Sequence, residues 1–183
     1  KVCSDQATLA DYVTALDRWQ QTYLADCKGC DNCCHERAPL GLADYYQAVA
    51  GSAVPPSLEQ WLQTSAQWRA LEDGAADITL ARTPEGACKF LDPAQKICTA
   101  HTARPLVCHT YVCLPKSHRA DRLRQEVINS GEDALAAALL HRTNLPLNCK
   151  IDHYPLVKYW ENEWKNVYLR RIISEDLWQL LLC

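Results

Sequence analysis

Four thiols fall within eight residues at Cys27-Lys28-Gly29-Cys30-Asp31-Asn32-Cys33-Cys34. Two residues between successive thiols let a tight loop turn several sulfurs inward, and iron–sulfur sites open with the same spacing. Gly29 suits such a loop because it adopts positive φ without a steric penalty. Adjacent Cys33 and Cys34 do not readily point the same way, so one belongs to a second ligand set or only one binds. A second group follows at Cys88 and Cys98, and then at Cys108 and Cys113, with Arg104-Pro105 just ahead of Cys108. On one helix Cys108 and Cys113 would lie about 140° apart, so they share a side only if the helix ends between them. Together the two groups supply eight thiols, enough for two four-thiolate sites or for one site plus structural thiols, and Cys3, Cys149 and Cys183 are left over.

Thiolates suit zinc and iron–sulfur clusters alike. Structural zinc pairs two separated Cys-x2-4-Cys knuckles, whereas the first group is a run of three thiols at two-residue intervals. A 4Fe–4S cluster is therefore favoured as cofactor, with zinc as the alternative. Lys28, Lys89, Arg104 and His109 flank ligand positions and could donate hydrogen bonds to sulfur or offset thiolate charge. Taken singly, each reads better as an ordinary surface residue. Asp31, Glu36, His101, His109 and Tyr111 also lie near ligands, yet no acid–base pair among them has a spacing that demands catalysis. Eleven cysteines, an odd number in a tight cluster, point to metal ligation in a reducing compartment and hence to the cytoplasm. An oxidised disulfide scaffold is the third reading.

Here the order of motifs becomes specific. Cys27-x2-Cys30-x2-Cys33-Cys34, then Cys88-x-Phe90-Leu91, then Cys98-x5-Arg104-Pro105-x2-Cys108 resembles the CxxCxxCC family of zinc- or iron-chelating domains, over residues 24–113. Two positions depart from that pattern. The family usually carries a Gly shortly before the cysteine matched by Cys98 and a Tyr three residues after it, where this chain has Lys96-Ile97 and His101. His101 is read as an aromatic replacement in preference to a local ligand. The resemblance implies a chelated metal more than a defined activity. One branch of the family contains a flagellin lysine methylase associated with an iron–sulfur cluster, but the six glycines here form no Gly-x-Gly loop for a methyl donor, so that enzyme reading ranks low.

The elements that must position these thiols are read from periodicity. At 183 residues the chain can bury a real core without help from a metal, and residues 1–183 are taken as one domain. A net charge of -3 gives no whole-protein argument for nucleic acid or membrane as partner, and no apolar run approaches the roughly 20 residues a span needs. The chain begins at Lys1 and contains no Met, which leaves room for a removed leader.

Apolar spacing predicts helices over residues 4–25 and 42–49, and another from the Ser57-x-x-Gln60 capping box to near Gly74, carrying Trp61, Trp68 and Leu71. Short strands or loops fit residues 78–97. A short helix should follow Arg104-Pro105, with two more over 120–128 and 132–141, separated at Ser130-Gly131. Pro146 and Pro155 bracket a loop holding Cys149, read as a buried free thiol. Residues 156–182 should be helical, with an apolar face of Trp160, Trp164, Val167, Tyr168 and Ile172 and a restart at Ser174. His141 and His153 are isolated and are read as structural or exposed in preference to ligands. The basic run from Lys116 to Arg124 is read as a solvated helix face, and the six tryptophans as core.

The expected fold is mainly α, a helical domain whose N-terminal helices and C-terminal region (118–183) enclose a cysteine-rich irregular segment with at most short strands. The expected function is an iron–sulfur protein for electron transfer or metal handling, working with a redox or protein partner. A zinc-stabilised interaction module without catalysis is the alternative.

Overall fold

The structure, a computed structural model, describes residues 1–23, 29–70, 76–111, 113, 116–143 and 157–182. The first helix, α1 (Leu9–Tyr23), starts later than its periodicity suggests. Thr8 and Asp11 cap it reciprocally: the Thr8 N–H and hydroxyl donate to Asp11 Oδ2 at 2.8 and 2.9 Å, and the Asp11 N–H donates to Thr8 Oγ1 at 3.3 Å. Residues before the cap pair elsewhere. Val2 N–H donates to Leu181 O at 2.7 Å and Leu169 N–H to Ala7 O at 2.9 Å, so the leading segment is knitted to the C-terminal part of the chain.

Helix α2 (Leu42–Val49) has the expected bounds, with Gly51 just past it at φ +76°. The Ser57/Gln60 box caps α3 (Leu58–Ser65) as expected, Ser57 Oγ accepting from Gln60 N–H at 3.2 Å. That helix ends well short of Gly74, which lies outside the described residues. Its predicted second half is instead β1 (Ala66–Ala70), antiparallel to β2 (Ala76–Leu80) with Trp68 opposite Ile78. The hairpin wins because β2 also bonds residues 38–40 on its other side: Leu40 N–H donates to Ile78 O at 3.0 Å and Leu80 N–H to Ala38 O at 2.8 Å. Sheet pairing here overrides helical spacing, and Trp68, counted with a buried face, is 67 % exposed. The expected short strands include β3 (Leu91–Asp92) and β4 (Ile97–Cys98), a hairpin in which Leu91 faces Cys98.

Pro105 precedes the short helix α4 (Leu106–Thr110), as its sequence predicts. By contrast, α5 (His118–Thr143) is one helix where two were expected. Gly131 does not break it. A Cβ there would stand 3.2 Å from the Trp160 ring and 3.4 Å from Gly41 Cα, so this glycine marks a close approach between elements. Ser130 Oγ accepts from Trp160 Nε1–H at 3.1 Å and fixes the same contact.

The expected long C-terminal helix is broken into α6 (Val157–Trp160), a 3-10 turn (Trp164–Asn166), α7 (Leu169–Ile172) and α8 (Glu175–Leu181). The break has a cause in the backbone: Val167 O accepts from Leu9 N–H at 2.9 Å, and Thr8 bridges Tyr168. Ser174 restarts the chain as expected, its Oγ accepting from Leu177 N–H at 3.3 Å. The loop with Pro146, Cys149, His153 and Pro155 lies outside the described residues, and of His141 only its place in α5 is described.

The described part is therefore mainly helical, with four short strands. Its core is a cluster of buried residues that includes Leu9, Leu58, Val127, Leu135, Trp160 and Trp178. Fully burying each of the larger apolar side chains contributes about 1.5–3 kcal/mol. Much of the basic run is paired internally: Arg122 with Glu126 at 3.0 Å, Lys116 with Asp121 at 3.5 Å, and Arg124 with Thr110 Oγ1 at 3.1 Å. No helix of the described residues is long and apolar enough to cross a membrane.

Candidate metal centre

The first cysteine group enters the described structure at Gly29, whose φ of +79° is the conformation expected of it. A 3-10 turn (Asn32–His35) follows, closed by Cys34 N–H donating to Asp31 O at 2.9 Å. Arg82 pins the end of this turn. Its Nη1 donates to His35 O at 3.1 Å and Gly86 O at 2.5 Å, while Nη2 donates to Glu36 O. The two cysteine groups then meet directly, because Cys88 N–H donates to Cys34 O at 2.8 Å. Phe90 N–H reaches back to Cys88 Sγ at 3.4 Å. The β3–β4 hairpin returns the chain to Cys98, and α4 presents Cys108 from a third side.

Cys33, Cys34, Cys88, Cys98 and Cys108 all line one cavity, together with Arg82, Arg104, Phe90 and Pro105. The neighbours Cys33 and Cys34 both reach it, at different depths: Cys34 is buried and Cys33 exposed. Cys88, Cys98 and Cys108, ten residues apart in sequence with no repeat behind the spacing, are half-buried around the same space. Two predicted ligands lie off it. Cys30 is exposed, and Cys113 is exposed beyond the end of α4, which stops at Thr110. Cys27, Cys149 and Cys183 lie outside the described residues. The seven other cluster cysteines form no disulfide, whereas Cys3 is disulfide-bonded. The thiols share a cavity, yet among the described residues no three Cys, His, Asp or Glu side chains stand in a coordinating group.

Electrostatics sharpen the picture. Burial pushes the Cys34 thiol up to about 12, reinforced by Cys33, Cys88 and Cys98. Burial also raises Cys108, with Cys88, Asp44 and Cys33 adding to the rise and Arg104 opposing it. Cys88 is raised by burial and by Cys98, against the N–H of Phe90 and the charges of Arg82 and Lys89. Each thiol resists ionisation partly because its neighbours are thiols. A cation among them removes that repulsion, so metal capture and loss of the protons go together.

Residues flanking the ligand positions divide. His109, read as a surface residue, is 6 % exposed, packs edge-on against Trp164 with ring centroids 5.4 Å apart, and lies 3.0 Å from Asp17 Oδ1 through Nδ1. Burial holds its imidazole below the ordinary value despite Asp17. Arg104 donates to the same Asp17 oxygen at 3.0 Å, so α1 steadies a cation at the cavity wall. Lys89 donates to Thr64 O and sits 5.1 Å over the Phe90 ring. His101, in a 3-10 turn (His101–Ala103), is exposed and does not line the cavity.

Sequence reasoning missed Asp17, Asp44 and Arg82. Only Asp44 carried a signal: it stands three residues after Gly41 at the start of a helix, the place of a capping acid.

A family model matches residues 26–130, described as "CxxCxxCC: Putative zinc- or iron-chelating domain". The chain belongs to the CxxCxxCC family. The matched stretch holds all eight clustered cysteines and also Asp44, Arg82 and Arg104. No curated protein and no solved structure matches the chain. The donor set fits the family's description, since five thiols and no carboxylate-rich cage suit zinc and iron over magnesium or calcium.

Proposed function

We propose that this CxxCxxCC chain is a metal-binding protein that holds a 4Fe–4S cluster in the five-thiol cavity, for electron transfer or metal handling. One observation carries the reading: sulfurs from segments 33–34, 88–98 and 108 share a cavity whose walls are joined by the Cys88–Cys34 backbone bond. Ligands are drawn from Cys33, Cys34, Cys88, Cys98 and Cys108. Cys27, Cys30 and Cys113, also counted as ligands from the sequence, remain candidates for a second set.

When bound, the cluster supplies a one-electron redox couple. The chain's own residues set its surroundings: the Phe90 N–H and the guanidiniums of Arg82 and Arg104 oppose the negative charge of the thiolates, and Phe90, Leu80 and Pro105 exclude water. A redox partner of protein nature follows from this role.

Purification without oxygen tests the proposal. A brown protein absorbing near 400 nm, with iron and acid-labile sulfide at about four each per chain, is expected for thiolate-bound clusters. Stoichiometric zinc without sulfide would replace the cluster with the zinc-stabilised module. A metal-free preparation would reject both.

A further inference from the structure

We propose that Asp44, which lies outside the thiol set, is the positioning residue that fixes Cys108 against the other thiols, by clamping the first turn of α4. The inference rests on the metal-binding reading above and deepens it. Asp44 belongs to the first turn of α2 and is 5 % exposed. Its Oδ2 accepts from Gly41 N–H at 2.9 Å, and its Oδ1 accepts from Leu106 N–H at 2.8 Å, across 62 positions of sequence.

The first N–H groups of a helix have no partner within it. Pro105, at the cap position of α4, has no side-chain acceptor to offer, so α4 takes its cap from α2. Leu106 is two residues from Cys108 within one helical turn, and an error in its placement passes directly to the sulfur. The frame behind Asp44 is firm: a Cβ on Gly41 would stand 3.3 Å from Gly131 Cα, so the start of α2 is pressed onto α5. Two converging donors call for two acceptor oxygens. Asparagine supplies one, and its amide would face the second N–H donor to donor.

Cobalt(II) added to metal-free protein is the probe, because its thiolate charge-transfer band reports sulfur ligands. Asp44→Asn is expected to bind cobalt about 10- to 100-fold more weakly, the range for groups that orient metal ligands, and to shift that band, with far-UV dichroism unchanged. In a Cys108→Ser background the same substitution should add less than about twofold, since its effect runs through Cys108. A variant that melts earlier but keeps cobalt affinity and band within about twofold of wild type overturns the proposal, as does a full additional loss in the Cys108→Ser background.

Should Asp44→Asn fail to fold, amide exchange of metal-free wild type decides. Leu106 N–H is expected to exchange at least about 100-fold slower than an open amide, and unprotected exchange overturns the clamp. A wild type with no thiolate–cobalt band rejects the metal reading; slow Leu106 exchange then leaves the clamp standing, and fast exchange removes it too.

Discussion

At the scale of single residues, the cavity divides the thiols proposed as its ligands from those that lie off it. Cys34 is buried and Cys108 half-buried on the cavity wall, while Cys113 is exposed and off it. Cys34→Ser or Cys108→Ser should therefore weaken metal binding by more than about 100-fold, beyond the range for residues that only orient ligands. Cys113→Ser should leave it within a few-fold, as read by competition with a chromophoric chelator. Equal losses at all three would sink the single-cavity assignment.

The thiol pKa shifts add a pH prediction for chelator-treated protein. Cys34 is raised from the ordinary 9.0 to about 12, and Cys88 and Cys108 are raised too. The folded state thus favours the neutral thiol. That stability is complete below about pH 9 and is lost as pH climbs from there toward 12, where only the unfolded chain ionises readily. The urea midpoint should fall between pH 8 and 10, and less steeply in Cys34→Ala. A flat midpoint across that range would contradict the burial of these thiols.

At the scale of elements, the sequence and the structure part company where tertiary contacts outvote local spacing. Bounds of α2, the Ser57 and Ser174 caps and the helix after Pro105 were legible, because each is written in neighbouring residues. The exchange of helix for strand at Ala66–Ala70 was not, since it depends on residues 38–40 pairing with β2 from afar. The same holds for the site. The thiols announce themselves by type and interval, but Asp17, Asp44 and Arg82 each also reach a partner 40 or more positions away, and of the three only the capping place of Asp44 shows in the sequence.

Gly131 gives the clearest case of a misread signal, a glycine retained for contact and read as a break. Gly131→Ala should test it. Helix propensity alone favours the alanine by about 1 kcal/mol, while overpacking against the fully buried Trp160 costs about 1–3 kcal/mol. Net destabilisation of up to about 2 kcal/mol in urea is expected, shrinking toward a gain when Trp160→Phe makes room. A stabilised single mutant would show that the ring yields freely.

At the scale of the whole molecule, the question is whether metal builds the fold or decorates it. The buried cluster made by α1, α5, α6 and α8 contains Leu9, Val127, Leu135, Trp160, Leu177 and Trp178, and none of these lines the thiol cavity. A chain of 183 residues has enough interior to fold on such a cluster alone. The segments bearing the first thiols have less of that support, the 3-10 turn at Asn32–His35 and the two-residue strands β3 and β4, whereas α4 sends Leu106 and Val107 into the core. Arg82 and the backbone hydrogen bond from Cys88 to Cys34 tie the turn and the β3–β4 hairpin together.

Metal removal should consequently loosen one side of the molecule. Chelation of loaded protein should lower the melting temperature by about 10 °C, the effect of losing a ligand present at about 1,000 times its dissociation constant from a domain of this size. Far-UV dichroism at 25 °C should keep most of its helical signal, and amide exchange should accelerate in segments 29–37 and 88–103 while α4, α5 and α8 stay protected. Collapse of the helical signal on chelation would overturn this division and make the thiol-bound metal the organiser of the entire fold.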